Sequence, residues 1–286
     1  MLERPVLVAA FRGWNDGAQG ASLAGGYLAK IWQARRFATV DPEGFFDFQA
    51  TRPHVSLVNG AMRRIEWPEN GFYKASPEGL GRDAVLLLGI EPNLRWRTFT
   101  KLIVGLAEEL GVELVVTLGA LLADVPHTRP APVSGSAADP DLVERLGLST
   151  SRYEGPTGIV GVLHEACRQA KVPSVSLWAA VPHYASLAPS PRAALALVQR
   201  LATLLEADID VAELEEATVA YTRQVSEAVS SDEETVAYVE ELEQRSDELH
   251  TEEEDIPSGD ALAAELTRFL RERESGNDDP RNEGSS

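Results

Sequence analysis

One apolar segment near the middle of the chain constrains the fold most. Val112 to Leu118 read VELVVTL, and Glu113 and Thr117 are the polar residues in this run. A β-branched run of this kind is typical of a strand that is covered on both faces, as in the parallel sheet of an α/β domain. Polar side chains follow soon after it: Asp124, His127, Thr128 and Arg129. Because open α/β sheets hold their ligands at the carboxyl ends of strands, the segment indicates either a ligand crevice or an ordinary surface loop.

Strands and helices alternate along the first 205 residues. Buried strands are predicted at residues 5–10, 83–90, 112–118 and 172–181, and a β-rich insert has strands at 36–40, 65–68 and 72–75. Helices are predicted at 18–32, 139–146, 159–170 and 192–205. A further helix is predicted after the polar residues 91–97 and runs through about residue 110. This alternation predicts an α/β layered sandwich with a mostly parallel or mixed central sheet.

Polar residues follow five of the predicted strands. They lie at residues 12–16, 91–97, 124–129, 153–158 (after a break) and 183–184. Parallel strands bring their carboxyl ends to one edge of a sheet, so we expect most of these clusters to meet there. Glycines at the start of the helix after residue 158 would leave backbone N–H groups for an anion. The candidate ligand-binding residues are Asn15, Asp16, Asp124, His127, Arg129, Gly155, Thr157, Gly158, His183 and Tyr184.

These residues leave two functional hypotheses open. In the first, the protein is non-enzymatic and engages protein partners. In the second, a hydrolase or phosphorylase-like enzyme acts on a small anionic substrate in the crevice. The candidate catalytic residues are then Asp16 or Glu91 as general acid or base and His127 or His183 as proton shuttle, with Arg129 as anion clamp. The spacing offers no series of nucleophile, base and orienting group, so we favour the first hypothesis.

The sequence predicts neither a cofactor nor a metal. No glycine-rich loop matches G-x-G-x-x-G or G-x-x-x-x-G-K-[ST]. Cys167 is the only cysteine, which excludes an internal disulfide and a cysteine-based zinc site. Cys167 and His164 lie on the predicted helix at 159–170 without partners at a suitable spacing, so we expect both to pack in the interior.

The net negative charge comes from the last part of the chain. From Glu206 to Ser286 there are 26 acidic and 6 basic residues, whereas residues 1–205 hold 19 acidic and 20 basic residues. A step of this kind indicates a separate segment rather than a uniformly acidic surface. The acidic part would repel phosphate groups, so we expect no nucleic-acid partner.

We interpret this acidic part as a helical extension. Residues 207–249 are predicted to form two amphipathic helices, split near residues 230–232, whose apolar stripe packs on the α/β body or on a neighbouring subunit. The stripe consists of Val211, Leu214, Val219, Tyr221, Val225, Val229, Val236, Val239 and Leu242. The predicted organisation is an α/β domain at 1–206, an acidic helical extension at 207–274 and a disordered tail at 275–286. Within the extension, a linker is predicted at 252–259 and a last helix at 260–273.

Composition also predicts the setting and the assembly of the protein. No apolar run reaches the ~20 residues that a membrane span needs, and Met1-Leu2-Glu3-Arg4 do not open a signal peptide. We therefore expect a cytoplasmic protein without a membrane partner. If they are exposed, the following aromatic residues would predict self-association: Trp14, Phe45, Phe46, Phe48 and Trp96.

Six motifs occur in a fixed order along about residues 5–205. They are Gly13-Trp14-Asn15-Asp16, Phe46 to Pro53, Gly89-Ile90-Glu91-Pro92, Gly119 to Pro130, Tyr153 to Gly158 and Val181 to Tyr184. Together they resemble the proteasome assembly chaperone 2 family, and its actinobacterial branch in particular. The acidic helical extension is also typical of that branch.

This resemblance implies an α/β sandwich similar to the nucleoside phosphorylase fold. It also implies homo- or hetero-oligomers, among which we favour a trimer. Eukaryotic and archaeal members of the family chaperone the assembly of the proteasome core particle, so the expected partners are proteins related to the proteasome. Archaeal relatives that dock on the proteasome end in a hydrophobic residue, a tyrosine and one further residue. This chain ends in Gly284-Ser285-Ser286, so that docking mode is not expected.

Overall fold

Nine strands form two sheets in the part of the chain that the structure describes. The structure is a computed structural model, and it describes residues 2–58, 62–137, 143–144 and 154–254. The strands are β1 (Val6–Arg12), β2 (Arg35–Val40), β3 (His54–Val58), β4 (Met62–Glu66), β5 (Asn70–Ala75), β6 (Ala84–Ile90), β7 (Leu114–Ala123), β8 (Val133–Ala137) and β9 (Ser174–Pro182).

Seven of these strands form the main sheet, in the order β2-β5-β6-β1-β7-β9-β8. The pairs β6–β1, β1–β7 and β7–β9 are parallel. β5 runs antiparallel to β6, β2 runs antiparallel to β5, and β8 runs antiparallel to β9. The sheet is therefore mixed, and the carboxyl ends of β6, β1, β7 and β9 lie at one edge.

Helices cover both faces of this sheet. They are α1 (Gly20–Ile31), α2 (Trp96–Leu110), α3 (Ile159–Ala170), α4 (Pro191–Leu205), α5 (Ala212–Val229) and α6 (Glu233–Glu254). The core on one face contains Val6 and Val8 of β1 together with residues of α1 and α4. The core on the other face contains Leu7 and Ala9 of β1 together with residues of α2 and α3. None of the helices in the described ranges is long and apolar enough to cross a membrane.

Side chains accept hydrogen bonds at the starts of two helices. The Oδ1 atom of Asp16 accepts hydrogen bonds from the backbone N–H groups of Ala21 (2.8 Å) and Ser22 (3.1 Å) in the first turn of α1. Before α4, the hydroxyl of Ser190 accepts a hydrogen bond from the Ala193 N–H at 3.2 Å, and Pro191 is the first helical residue. Both side chains therefore satisfy N–H groups that have no partner within their own helix.

Several details of the β-rich insert and of the edges differ from the prediction. The strand predicted at 72–75 begins earlier, since Asn70 and Gly71 already belong to β5. The predicted strand at 65–68 is shifted, since β4 ends at Glu66. β3 and β8 are not predicted, because β3 belongs to a separate two-stranded sheet with β4 and β8 has the small, polar sequence VSGSA.

Some predictions concern residues outside the described ranges, and others are not tested by the structure. The predicted helix at 139–146 lies largely outside them, and the predicted helix at 260–273 and tail at 275–286 lie wholly outside. α6 continues to Glu254, into the first part of the predicted linker. The division into an α/β domain and an acidic extension stays a prediction, as does the similarity to the nucleoside phosphorylase fold. Leu214 of α5 belongs to the same core cluster as β1 and α4.

Most of the aromatic residues on which the predicted self-association rests are buried or partly buried. Phe45 and Phe46 are buried, and the ring centroid of Phe45 lies 5.4 Å from that of Phe99. The Phe48 ring packs on Trp67 at 4.8 Å. Trp14, in contrast, is 66% exposed. The aromatic argument for an oligomer is therefore wrong for Phe45 and Phe46, because they fill the core, and self-association stays a prediction.

Two adjacent glycines in α1 test how closely this helix packs on the sheet. A Cβ atom at Gly25 would lie 2.6 Å from Leu88 Cδ2 and 3.0 Å from Ala10 Cβ, whereas one at Gly26 would meet nothing within 4 Å. We expect Gly25→Ala to lower the free energy of unfolding by about 1–3 kcal/mol through overpacking. Gly26→Ala should raise it by about 0.5–1 kcal/mol, because alanine favours the helix. Urea denaturation measures both changes, and equal effects would contradict the close packing.

Candidate functional site

The carboxylate of Glu91 joins three chain segments at the carboxyl edge of the sheet. Its Oε1 atom accepts hydrogen bonds from Asn15 Nδ2 (2.9 Å) and from the backbone N–H of Ile159 (2.7 Å). Its Oε2 atom accepts a third hydrogen bond, from the backbone N–H of Trp14 (3.2 Å). Asn15 follows β1, Glu91 follows β6, and Ile159 begins α3. One side chain, the Glu91 clasp, thus holds the loop after β1 and the start of α3 against the end of β6.

Glycines make this close approach possible. A Cβ atom at Gly158 would lie 2.2 Å from Asn15 Nδ2 and 2.7 Å from Glu91 Oε1. Gly13 has a φ of +139°, and a Cβ atom there would lie 2.9 Å from Glu91 Cβ. At the start of α3, the Ile159 N–H already donates to Glu91. The predicted anion site at this helix start is therefore filled, in part, by the protein's own carboxylate.

Asp16 acts on α1 rather than on the Glu91 clasp. Its side chain is buried, and its carboxylate accepts the two N–H groups of α1 described above. Burial raises the pKa of Asp16, against the hydrogen bonds from Ser22 and Ala21 and the nearby Arg12 guanidinium, which lower it. Its backbone also forms a parallel bridge with Ala120 of β7. Asp16 therefore fixes the start of α1 against the end of β7.

His127 is the centre of a second cluster, beyond the ends of β7 and β9. The hydroxyl of Tyr184 accepts a hydrogen bond from the His127 backbone N–H (2.8 Å) and lies 2.9 Å from His127 Nδ1. The other ring nitrogen, Nε2, lies 2.9 Å from the hydroxyl of Ser226 in α5. Burial, and then the nearby Arg192 guanidinium, lowers the pKa of His127, so its ring is neutral at pH 7. All partners are satisfied when Tyr184 donates to Nδ1 and Nε2–H donates to Ser226.

Charged groups continue this cluster onto α6. Arg129 Nε and Nη2 each lie 2.8 Å from a carboxylate oxygen of Asp247. Arg129 Nη1 lies 3.5 Å from Glu243 Oε1, and the hydroxyl of Thr128 donates to the same oxygen. From α4, Arg192 Nη1 donates to the backbone carbonyl of Arg129 at 2.7 Å. The segment after β7 is therefore held between α4 on one side and α6 on the other.

Aromatic side chains complete the contact with α6. Asp124 Oδ1 lies 3.3 Å from His183 Nδ1, and the His183 ring centroid lies 5.6 Å from that of Tyr238 in α6. The rings of Tyr184 and Tyr238 also meet edge to face, at 6.2 Å. Burial, and then the hydrogen-bonded Asp124 carboxylate, raises the pKa of Tyr238. Burial also raises the pKa of Tyr184, to about 12.

The structure distributes the predicted site residues over two clusters. Asn15, Glu91 and Gly158 form the first, around the Glu91 clasp. The second contains Asp124, His127, Arg129, His183 and Tyr184. Asp16 binds the start of α1, and Gly155 and Thr157 precede α3. Except for Gly155, Thr157 and Gly158, which precede α3, these residues follow carboxyl ends of the parallel strands, and their use as a ligand site stays a prediction.

Sequence reasoning missed the residues that occupy the second cluster. Ser226 follows His127 by 99 residues, and Asp247 follows Arg129 by 118 residues. No local pattern signals a contact at such separations, although the acidic content of the extension is compatible with it. The predicted apolar stripe of α5 is correct at Leu214, Tyr221 and Val225, which are buried, and wrong at Val219, which is 72% exposed.

Cys167 packs in the interior, as the sequence predicts, whereas His164 is partly buried. Cys167 is fully buried on α3, and burial raises the pKa of its thiol to about 11. His164 Nδ1 lies 3.0 Å from the hydroxyl of Ser174, and burial lowers the pKa of His164. Across the described residues, no group of three or more His, Cys, Asp or Glu side chains is placed to hold a metal ion.

The order of these motifs along the fold matches one protein family. A family model described as PAC2 family covers residues 10–229. The chain belongs to the PAC2 family. This confirms the resemblance that the six motifs indicate, since PAC2 is the family of the proteasome assembly chaperone 2. Among curated proteins, no match was found.

Several solved structures are similar to this chain. A PAC2 family protein of Streptomyces avermitilis is 50% identical, with a TM-score of 0.77, over 82% of this chain and 99% of that one. A proteasome-assembly chaperone homologue of Mycobacterium tuberculosis is 44% identical, with a TM-score of 0.75, over 82% and 99% of the two chains. Pyrococcus furiosus PbaB, an archaeal proteasome activator, is 17% identical with a TM-score of 0.64, over 79% and 94%. That last similarity shows the shared fold alone.

The Glu91 clasp predicts that two glutamates of this protein differ sharply in their contribution to the free energy of unfolding. Glu91→Gln would place an amide where the carboxylate accepts three N–H groups, so we expect it to lower the free energy of unfolding by about 1–3 kcal/mol. Glu113→Gln is the matched control, because Glu113 makes partly exposed ion pairs with Arg4 and Arg82 and should change stability by less than about 1 kcal/mol. Chemical denaturation of both variants decides this, and equal losses would contradict a structural role for the clasp.

His127 predicts a loss of stability in mild acid. Its pKa is lowered in the folded protein, whereas the unfolded chain takes up the proton near pH 6.5. The unfolded state therefore binds more protons just below pH 6.5, so the His127 contribution is full above that pH and decreases as the pH falls towards the folded pKa. We expect His127→Gln to show a smaller decrease than the wild type between about pH 7.5 and about pH 5.5. Urea unfolding at both pH values tests this, and an unchanged pH dependence would contradict it.

Proposed function

We propose that this PAC2-family protein is a non-enzymatic, cytoplasmic, chaperone-like protein that engages protein partners. We further propose that it self-associates, most favourably as a trimer, and that its partners are related to the proteasome. The 44% identical protein of Mycobacterium tuberculosis, a proteasome-assembly chaperone homologue, supports this class of partner. The geometry supports the non-enzymatic part in a separate way.

The observation that carries the proposal is that the side chains required for catalysis already have partners within the protein. Glu91 accepts three hydrogen bonds, and Asp16 accepts two from α1. Both ring nitrogens of His127 are engaged, and the Arg129 guanidinium meets two carboxylates. A general base needs a lone pair that faces the substrate, and an anion clamp needs a guanidinium without a carboxylate partner. These contacts favour structural roles over a hydrolase or phosphorylase-like reaction.

An exposed apolar surface on the β3–β4 hairpin supports protein binding. Val55 and Ile65 are direct cross-strand partners, so both point to the same face of the hairpin, and Leu57 lies two residues along β3 on that face. Their exposed fractions are 61% for Val55, 55% for Ile65 and 62% for Leu57. Contiguous apolar side chains of this kind mark protein-interaction surfaces more often than free surface.

Sedimentation velocity and a binding assay test the two parts of the proposal. At micromolar concentration, we expect a particle of about three times the 31.0 kDa chain mass. We also expect it to bind purified proteasome core subunits from the same organism. Leu57→Glu on the hairpin should weaken self-association or subunit binding at least about tenfold. Val219→Glu is the matched control, since Val219 is also exposed but lies on α5.

Two results would contradict this proposal. A single 31 kDa species that binds no core subunit would exclude both self-association and the proteasome-related partner. Equal effects of Leu57→Glu and Val219→Glu would exclude the hairpin as the responsible surface.

A further inference from the structure

The surface beneath α6 is built from polar and cationic groups. We call it the α6-docking surface, and it consists of Asp124, His127, Thr128, Arg129, His183 and Tyr184. α6 meets it with two carboxylates one helical turn apart, Glu243 and Asp247, and with the ring of Tyr238. The body up to residue 205 is nearly neutral, whereas the chain after it carries 26 acidic residues. The contact is therefore one of charge complementarity more than of apolar burial.

Few buried side chains attach α6 to this surface. Among residues 233–248, Val239 and Leu242 are the buried side chains. The Arg129 side chain remains 34% exposed and that of Asp247 remains 58% exposed. A single ion pair with this much solvent contact contributes little to stability, but the bidentate Arg129–Asp247 pair and the contacts of Glu243 form a network that contributes more. α6 is thus held by two buried side chains and by polar contacts that water can replace.

α5 is anchored more firmly than α6. Its buried residues Leu214, Thr218, Tyr221 and Val225 recur every three or four positions and face α4 and the core. Three residues, 230–232, separate the end of α5 from the start of α6. A short connection of this kind allows α6 to leave the body while α5 stays in place.

Departure of α6 would uncover the Arg129 guanidinium, while the backbone of this segment stays fixed. The Arg192 guanidinium lies behind Arg129 and donates to its backbone carbonyl. Tyr184 holds the backbone of His127 independently of α6. The surface would then present Arg129, Thr128 and the ring of His183 without their partners on α6. Planar guanidinium groups suit bidentate pairing with a carboxylate.

We infer that the α6-docking surface is a recognition surface for an acidic helical segment of a partner protein, and that α6 occupies it when no partner is bound. This inference rests on the proposed function, because it names the chemistry of the protein partner. The segment it fits carries two carboxylates one helical turn apart, five and nine residues after an aromatic side chain, as α6 itself does. A partner with that pattern displaces α6 from the surface.

A labelled peptide of residues 233–254, added to the full-length protein, tests this inference directly. The full-length double variant Glu243→Ala, Asp247→Ala lacks the two carboxylates that hold α6, so its docking surface should be open for much of the time. We expect it to bind the peptide at least about tenfold more tightly than the wild type, since apparent affinity scales with the open fraction. Glu241→Ala is the matched control, because Glu241 pairs with Arg245 on α6 itself. Fluorescence anisotropy measures the affinities.

A third variant tests whether the peptide binds at the α6-docking surface. Adding Arg129→Ala to the double variant should abolish the gain in affinity, and a peptide with glutamine and asparagine at positions 243 and 247 should not bind. Circular dichroism checks that the variants are folded. Equal peptide binding by the wild type and the double variant, or undiminished binding after Arg129→Ala, would overturn the inference. Neither result bears on the binding of core subunits or on sedimentation, so the proposed function would be judged separately.

Discussion

Burial of the central strands on both faces is the constraint on which the rest of this PAC2-family structure depends. β1 is buried from Val6 to Phe11, and alternate residues face the two cores. Its parallel pairing with β6 and β7 then places their carboxyl ends, and the loops that follow them, at one edge. The backbone N–H groups of those loops need acceptors. Glu91 and Asp16 supply them, which gives both motif carboxylates a structural role.

The parts of the fold that the sequence predicts are those with strong local patterns. Two-sided burial makes β1, β6, β7 and β9 continuous apolar runs, and amphipathic spacing marks α1 to α4. β8 escapes prediction because it pairs with β9 alone, through small residues such as Gly135 and Ser136. β3 escapes because Val55 and Leu57 are exposed on a hairpin outside the main sheet. In both, the strand is defined by its partner and not by burial.

Prediction of the candidate site from the sequence is limited by contacts between residues that are far apart in the chain. The polar residues themselves are predictable, since they follow successive strands of one sheet. Their partners are not, because Asn15 reaches Glu91 across 76 residues and Thr128 reaches Glu243 across 115. The convergence at one edge therefore suggests a crevice, whereas the side chains pair among themselves and with α6. Residue type predicts what a group can do, and only the tertiary contacts decide whether it is free to do it.

The position of β1 in the sheet has a consequence for the synthesis of the chain. β1 is made before both of its neighbours, β6 and β7, which begin at Ala84 and Leu114. A strand that is apolar from Val6 to Phe11 therefore stays unpaired on both edges while residues 13–83 are translated. α1 follows directly and can shield one face during that interval, but the opposite face is covered by α2 and α3. Pairing over such distances slows folding and exposes strand edges, so aggregation competes with folding until the central strands have all emerged.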